Sequence, residues 1–228
     1  MAEERIPLIE TVDLMKYFKV GDKSFLHAVD GINMKVYAGE TIGVVGESGC
    51  GKSTLGRTIL RLIEPTSGQI LYKGDDITKY NAQQMKRMRQ ELQIIFQDPY
   101  ASLDPRKSVV EIIAEYMIIN KTLPTKREIF NRAAHLMDVV GLARRYATAY
   151  PHELDGGRRQ RIGIARALSV NPKFIVCDEP VSALDVSIQA QILNLLMDLQ
   201  DDMGLTYMFV THDLSVVKHI SDNIMVMY

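Results

Sequence analysis

Residues 46–54 place three glycines ahead of a lysine and two hydroxyl residues, with the spacing Gly-x-x-x-x-Gly-Lys-Ser. Glycines let consecutive backbone N–H groups point at phosphate oxygens, because no Cβ stands in the way. Lys52 can reach the β- and γ-phosphates of a nucleotide, and the Ser53 hydroxyl can bind Mg²⁺. The pattern therefore predicts a nucleotide-binding loop. Its predicted contact residues are Gly46, Glu47, Ser48, Gly49, Cys50, Gly51, Lys52, Ser53 and Thr54.

The segments on either side of this loop have the patterns that such a loop requires. Residues 41–45 are an apolar run that predicts a buried parallel strand, and residues 54–60 have the spacing of an amphipathic helix. The positive end of the helix dipole would then face the phosphates. A glycine-rich turn that matches by accident is the alternative, and it does not account for the strand and the helix.

A second apolar strand, residues 174–177, ends in two acidic residues. If this strand lies beside the strand before the loop, Asp178 reaches the Mg²⁺ shell. Glu179 is then placed to act as general base on a water that attacks the γ-phosphate. The alternative is a strand that simply ends at the surface, but together with the loop we favour the functional interpretation.

Two further polar residues follow predicted strands. Gln97 closes the strand predicted over 91–97, and His212 follows the strand predicted over 206–210. The carboxyl ends of parallel strands meet at one edge of a sheet, so both residues could face the same crevice as the loop. An ordinary strand-end glutamine and a surface imidazole are equally good interpretations, and the two residues alone leave the choice open.

The composition is that of an ordinary globular protein of 228 residues, with 46% hydrophobic residues and a formal net charge of −1. This balance argues against general nucleic-acid binding. The basic clusters at 86–89 and 158–161 are expected to be mostly solvated helix faces. The two cysteines, Cys50 and Cys177, form no metal or disulfide pattern, which fits a reducing compartment. The sequence has neither the start of a signal peptide nor an apolar run of about 18 residues, so we expect a soluble chain.

The pattern of elements changes twice along the chain. Residues 8–37 predict a β-rich start, residues 98–153 a helical insertion, and the remainder an α/β core. We therefore expect a nucleotide-binding core with a β subdomain at 1–97 and 154–228. The predicted strands are 8–12, a segment around 26–36, 41–45, 69–72, 91–97, 174–177, 206–210 and 224–227, and the predicted helices are 54–60, 109–120, 125–141 with a capping box at its start, 158–169 and a segment around 188–199.

In this arrangement the chain resembles the ATP-binding cassette (ABC) ATPases over nearly its whole length. Gln97 resembles the glutamine of the family's Q-loop, and His212 resembles its switch histidine. Phe18 is similar to the aromatic residue that stacks on adenine, with Tyr17 as the competing choice. Ser182, Ala183, Leu184 and Asp185 resemble the D-loop, and Leu154, Asp155, Gly156, Gly157 and Arg158 occupy the place of the family signature.

Two longer strings, residues 96–106 and 178–191, closely resemble the dipeptide, oligopeptide and nickel importer ATPases. The resemblance implies an α/β P-loop NTPase (RecA-like) core with an N-terminal antiparallel β region and an inserted α-helical (signature) subdomain. It implies Mg²⁺ with ATP as cofactor, held by Ser53, Gln97 and Asp178. The implied partners are a second ATPase subunit, identical or paralogous, integral membrane permease subunits and, indirectly, a substrate-binding protein, without nucleic acid. The implied location is the cytoplasmic face of the inner membrane, as a peripheral subunit.

Two features depart from the family pattern. The signature normally reads Leu-Ser-Gly-Gly-Gln, whereas here Asp155 replaces the serine and Arg158 the glutamine. In the family this segment acts in trans, on the γ-phosphate held by the other subunit. The sequence therefore predicts either an importer ATPase, with full turnover or with turnover reduced by the altered signature, or a hydrolysis-impaired nucleotide-binding regulatory subunit. A cassette ATPase acting on DNA or ribosomes is a weaker third interpretation. The chain also stops within its last predicted strand, so we expect a truncated or abbreviated family member without the usual C-terminal extension.

Overall fold

Both strands and helices occur along the parts of the chain that the computed structural model describes, residues 5–22 and 24–228. The strands are β1 (Ile9–Lys19), β2 (Phe25–Val36), β3 (Thr41–Gly46), β4 (Ser67–Tyr72), β5 (Asp75–Asp76), β6 (Leu92–Ile95), β7 (Phe174–Asp178), β8 (Thr206–Thr211) and β9 (Asn223–Met227). The helices are α1 (Lys52–Ile59), α2 (Ala82–Glu91), α3 (Pro99–Ser102), α4 (Val109–Asn120), α5 (Lys126–Val139), α6 (Gly156–Leu168), α7 (Val186–Met203) and α8 (Leu214–Ile220).

A five-stranded parallel sheet forms the centre of the molecule, with strand order β6-β7-β8-β3-β9. Every residue of β7 and β8 is buried, as their near-continuous apolar sequences require in a sheet covered on both faces. Strand β3 pairs with β8, and β7 lies on the other side of β8. The carboxyl ends of these three strands therefore share one edge of the sheet, where the loops that follow them can meet.

A second, antiparallel sheet with strand order β2-β1-β4-β5 is built from the N-terminal strands. Strands β1 and β2 alternate between buried and more exposed residues, as expected when one face of a sheet packs on a core. The α1 side chains Leu55 and Ile59 lie in one apolar cluster with residues of both sheets, so α1 is packed between them. The combination of an antiparallel β region with a parallel α/β core agrees with the predicted fold class.

Helices α3, α4 and α5 follow β6 and precede α6, on which they pack. Helix α4 begins at a capping box of Ser108 and Glu111, and α5 begins at a capping box of Thr125 and Glu128. The capping box predicted for α5 is therefore confirmed. The apolar cluster of this region includes Ile113, Met117, Ala133, Leu136, Met137 and Ile162. None of the helices in the described residues is both long enough and apolar enough to cross a membrane.

Helices α2, α3 and α8 are not among those predicted from the sequence, and α1 and α6 each start two residues earlier than predicted. Helix α2 buries only Met85, so its apolar periodicity is too weak to be read from the sequence. Helix α8 has seven residues, fewer than the 11–18-residue window in which that periodicity is measured. Helix α6 includes Gly156 and Gly157 because the Asp155 carboxylate accepts from the backbone N–H of Arg158 and caps the helix.

Candidate functional site

The loop between β3 and α1 has room for glycine alone at two positions. A Cβ added at Gly46 would lie 2.1 Å from the Met227 carbonyl oxygen, and one added at Gly51 would lie 1.9 Å from the Ala28 carbonyl oxygen. Gly51 also has a φ of +101°, in the left-handed region that L side chains rarely adopt. Gly46 and Gly51 are thus required by the close approach of the backbone at Met227 and Ala28, whereas Gly49 has open space around it and a φ of +85°.

Lys52 lies at the start of α1 and is 5% exposed. Its ammonium group donates to the carbonyl oxygens of Gly46, at 2.8 Å, and of Glu47, at 2.7 Å. These bonds fold the Lys52 side chain back over the loop, so its ammonium group lies at the N-terminal end of α1. A buried ammonium at the positive end of a helix makes this a favourable place for a phosphate anion.

Directly behind the loop, Asp178 at the end of β7 is 1% exposed and contacts two side chains of α1. The Ser53 hydroxyl donates to Asp178 Oδ1 at 2.6 Å, and Arg57 Nη2 donates to Asp178 Oδ2 at 3.2 Å. Arg57 is not among the site residues predicted from the sequence. A signal was present, because Ser53 and Arg57 are four residues apart and therefore share one face of α1.

Gln97, Glu179 and His212 meet at the carboxyl edge of the parallel sheet. Gln97 Nε2 donates to Glu179 Oε2 at 2.9 Å, and His212 Nδ1 lies 3.4 Å from Glu179 Oε1. Glu179 has a φ of +47°, and its backbone N–H donates to the Val210 carbonyl at 2.9 Å. The structure thus brings together three residues that lie more than 30 positions apart in sequence.

These residues line a cleft of about 580 Å³ that also contains most of the phosphate loop. Phe18 lines the cleft, whereas Tyr17 does not. The Tyr17 hydroxyl instead donates to Asp30, a bond that raises the pKa of Tyr17, and its ring stacks on His27 with 3.9 Å between centroids. The cleft residues are Phe18, Leu26, His27, Ala28, Ser48, Gly49, Cys50, Gly51, Lys52, Ser53, Thr54, Gln97, Glu179, His212 and Tyr228. Leu26, His27 and Ala28, which belong to β2, were not predicted from the sequence, because only the pairing of β1 with β2 brings them beside Phe18.

The signature residues 154–158 lie outside this cleft. Asp155, Gly157 and Arg158 line a separate cavity of about 280 Å³. The Asp155 carboxylate pairs with the Arg158 guanidinium, which also stands over the Tyr146 ring at 5.0 Å from its centroid. Of the D-loop residues, Ser182 donates through its hydroxyl to the Glu179 carbonyl at 3.1 Å. One chain therefore holds its signature apart from its own phosphate loop.

The donor set of the cleft fits Mg²⁺ bound together with phosphates. No group of three or more His, Cys, Asp or Glu side chains within residues 5–22 and 24–228 is arranged to hold a metal ion by itself. Ser53 and Asp178 supply neighbouring oxygen atoms, and Gln97 supplies an amide on the same edge. Mg²⁺ is typically held by one or two such protein oxygens and by substrate phosphates, whereas softer metals need nitrogen or sulfur ligands.

Comparison with known proteins decides the family. The sequence pattern of the ABC transporter family matches residues 29–182, which is more than half of the chain. The chain belongs to the ABC transporter family. The chain is 53% identical over 224 residues to the putative oligopeptide transport ATP-binding protein YkfD of Bacillus subtilis, covering 98% of this chain and 68% of the relative.

A second relative is the dipeptide transport ATP-binding protein DppF of Escherichia coli. It is 48% identical over 227 residues, which cover 97% of this chain and 68% of the relative. The solved structure of the ATP-binding cassette MJ0796, dimeric and bound to ADP and Pi, has a TM-score of 0.87 at 28% identity and covers 96% of this chain and 94% of that one. The predicted fold class and the resemblance to peptide-importer ATPases are both confirmed.

Proposed function

We propose that this member of the ABC transporter family is the subunit that binds and hydrolyses ATP to power a peptide-class importer. The observation that carries the proposal is the contact of Gln97 and His212 with Glu179, beside the phosphate loop and in one cleft. The peptide class rests on the oligopeptide and dipeptide transport names of relatives that are about half identical to this chain. Which peptides are carried would be decided by the membrane and binding-protein partners.

In this proposal the loop and its surroundings bind ATP. The backbone N–H groups of residues 46–54 and the ammonium of Lys52 bind the phosphates. Phe18 stacks on adenine, because of the two candidates Phe18 and Tyr17 it is the one that lines the cleft. Ser53, Asp178 and Gln97 hold Mg²⁺. When bound, Mg²⁺ would supply neutralisation of the charge that develops on the transferred phosphate.

Glu179 is proposed as the general base. One oxygen of its carboxylate accepts a hydrogen bond from the Gln97 amide, and the other lies near the His212 imidazole. Both oxygens are therefore directed into the cleft. It can therefore accept a proton from a water that attacks the γ-phosphate in line, while Gln97 and His212 fix the position of that water. Positioning and charge stabilisation would supply most of the rate.

The site is proposed to be completed by a second ATPase subunit, identical or paralogous. The separation of the signature from the phosphate loop of the same chain supports this, as does the dimeric state of the MJ0796 cassette. Residues 154–158 and the D-loop would then act on the nucleotide of the partner. Residues 98–153 form the proposed helical subdomain on which membrane permease subunits dock, between the core segments 1–97 and 154–228. The proposed location is the cytoplasmic face of the membrane, as a peripheral subunit.

The altered signature favours a second candidate function, a regulatory subunit that binds ATP but hydrolyses it slowly. Asp155 brings a carboxylate to the segment that would face the partner's γ-phosphate. Its pairing with Arg158 neutralises this charge only in part, because the carboxylate side chain is 57% exposed. The two candidates share the same ATP site and differ in the rate of turnover.

Nucleotide binding tests the function that both candidates share. In Lys52→Ala we expect the affinity for a fluorescent ATP analogue to fall at least about a hundredfold, because the variant loses the ammonium that reaches the β- and γ-phosphates. Lys126→Ala, which removes an exposed lysine at the start of α5, is the matched control and should bind as the parent does. Equal affinities for the Lys52 variant and the parent would refute the site.

A further inference from the structure

The pairing of Arg57 with Asp178 is a feature that the ATP site does not itself require. Asp178 offers two carboxylate oxygens, of which Oδ1 accepts from Ser53 and Oδ2 from Arg57. The Ser53 bond alone already fixes the direction of this buried carboxylate. Arg57 adds a full positive charge 3.2 Å from an oxygen that is proposed to serve a dication.

Arg57 also faces a second cavity, which adjoins the ATP cleft because Gln97 lines both. Its side chain is 43% exposed and lines a cavity of about 410 Å³, together with Phe96, Gln97, Asp98, Ala101, Ser102, Tyr116 and Arg166. Arg57 Nε is buried and has no hydrogen-bond partner among the described residues. The guanidinium therefore has an unmet donor and a space into which it can move. It is held in place mainly by Asp178.

The pairing of Arg57 with Asp178 affects the binding of a metal ion through charge. A guanidinium that pairs with a carboxylate withdraws negative charge from it and repels a nearby dication, and both effects are strong at a carboxylate that is 1% exposed. Arg57 and Mg²⁺ therefore compete for Asp178. By linkage the competition is reciprocal, so that Mg²⁺ binding loosens the hold of Asp178 on Arg57.

We propose that Arg57 is a positioning residue that weakens Mg²⁺ binding at Asp178 and is released toward the neighbouring cavity when the metal binds. The inference rests on the proposed Mg²⁺–ATP site and adds a regulation of that site. Binding of Mg²⁺ would thereby change the position of the Arg57 side chain in the cavity beside Gln97. Conversely, any contact that draws Arg57 into the cavity would tighten Mg²⁺ binding.

The test compares the Mg²⁺ dependence of nucleotide binding in the parent, Arg57→Gln and Arg57→Lys. With a fluorescent ATP analogue, the Mg²⁺ concentration at half-maximal enhancement of affinity should fall about tenfold in Arg57→Gln, which corresponds to about 1.4 kcal/mol. Arg57→Lys keeps the charge and should stay close to the parent. The control is Arg144→Gln, which removes a guanidinium that pairs with Asp138 on the helical region and should leave the Mg²⁺ dependence unchanged.

A second measurement needs only the parent protein. The Nε–H resonance of Arg57, assigned by its loss in Arg57→Lys, should shift when Mg²⁺ is added to the complex with nucleotide. An unmoved resonance overturns the proposal even if Arg57→Gln fails to fold. Equal or weaker Mg²⁺ binding in a folded Arg57→Gln variant also overturns it, since Arg57 would then be neutral or would orient Asp178 for the metal. Loss of all Mg²⁺ dependence in the parent would instead refute the proposed ATP site.

Discussion

Glu179 is the residue at which local strain and proposed chemistry coincide. Its φ of +47° lies in the left-handed region, which costs a residue with a side chain roughly 1–2 kcal/mol. The conformation is held by its backbone N–H, which donates to Val210, and by its carbonyl, which accepts from the Ser182 hydroxyl. Strain of this kind persists where the surroundings fix it, and here it turns the carboxylate toward Gln97 and His212.

Glu179→Gln should separate binding from chemistry. The amide keeps the size of the side chain but cannot accept a proton from water, so we expect ATP hydrolysis to fall by about 10²-fold or more while Mg·ATP binding is kept. Phosphate release and binding of the fluorescent analogue would be measured side by side. Glu64→Gln, which alters an exposed carboxylate that pairs with Arg61, is the control. A Glu179→Gln variant with the turnover of the parent would remove Glu179 from the mechanism.

At the residue scale the sequence predicted the members of the site better than their contacts. Glu179 follows from an apolar strand that ends in two acids, whereas the contacts of Gln97 and His212 with it depend on how three strands align in the sheet. The spacing of residues in the sequence does not determine the order of the strands in the sheet. The choice between Phe18 and Tyr17 likewise required the pairing of β1 with β2, which directs Tyr17 to Asp30.

At the scale of elements, two glycines inside helices have opposite surroundings. In α1, a Cβ added at Gly56 would lie 2.7 Å from Val176 Cγ1, so the helix can approach β7 this closely only with glycine. In α6, a Cβ added at Gly163 would meet nothing within 4 Å. Both residues are buried, and both carry the entropic disadvantage of glycine in a helix.

These surroundings predict stability changes of opposite sign for the same substitution. Gly56→Ala should lower the free energy of unfolding by about 1–3 kcal/mol, because α1 must move or Val176 must leave its rotamer. Gly163→Ala should raise it by about 0.5–1 kcal/mol, because alanine restricts the unfolded chain and fits the space. Denaturant unfolding of both variants beside the parent measures the two effects. A loss of stability in Gly163→Ala would show that the space beside it is not usable.

The elements themselves were predicted to different degrees for physical reasons. Helix α4 and the buried strands β3, β7 and β8 were expected within one residue of their observed ends, because long apolar runs and clear caps mark them. Helix α2 has a capping box at Asn81 and Gln84, but most of its residues are polar. It therefore lacks the apolar stripe from which a helix is predicted in a sequence. The start of α6 was misplaced because glycines normally argue against a helix interior, and the Asp155 cap outweighs them.

At the scale of the whole molecule, the proposed dimer must bring the signature of one chain to the cleft of the other. Exposed apolar side chains lie next to the D-loop and next to His212: Val186 follows the D-loop and is 81% exposed, and Leu214 lies two residues after His212 and is 62% exposed. Closure would bury such groups, and this gain must exceed any repulsion at the nucleotide. Asp155 is the residue at which repulsion is expected.

The size of that repulsion can be compared with what it replaces. At about 5 Å and an effective dielectric near 20, each negative charge on the γ-phosphate repels a carboxylate by roughly 3 kcal/mol. A hydrogen bond from a serine hydroxyl to a charged phosphate would instead stabilise closure by about 1.5–3 kcal/mol. The ion pair with Arg158 offsets part of the repulsion, but both side chains are substantially exposed, so water weakens the pair.

The double variant Asp155→Ser with Arg158→Gln should therefore favour closure. Serine is about as good an N-cap as aspartate, so α6 and the stability of the monomer should change little. We expect stronger ATP-dependent dimerisation by light scattering and an increase of at least about tenfold in the rate of phosphate release, which needs only about 1.4 kcal/mol. Asp138→Asn with Arg144→Gln removes a comparable exposed ion pair from the helical region and serves as the control. Equal rates for the parent and the signature variant at the same subunit concentration would show that Asp155 and Arg158 do not impair hydrolysis.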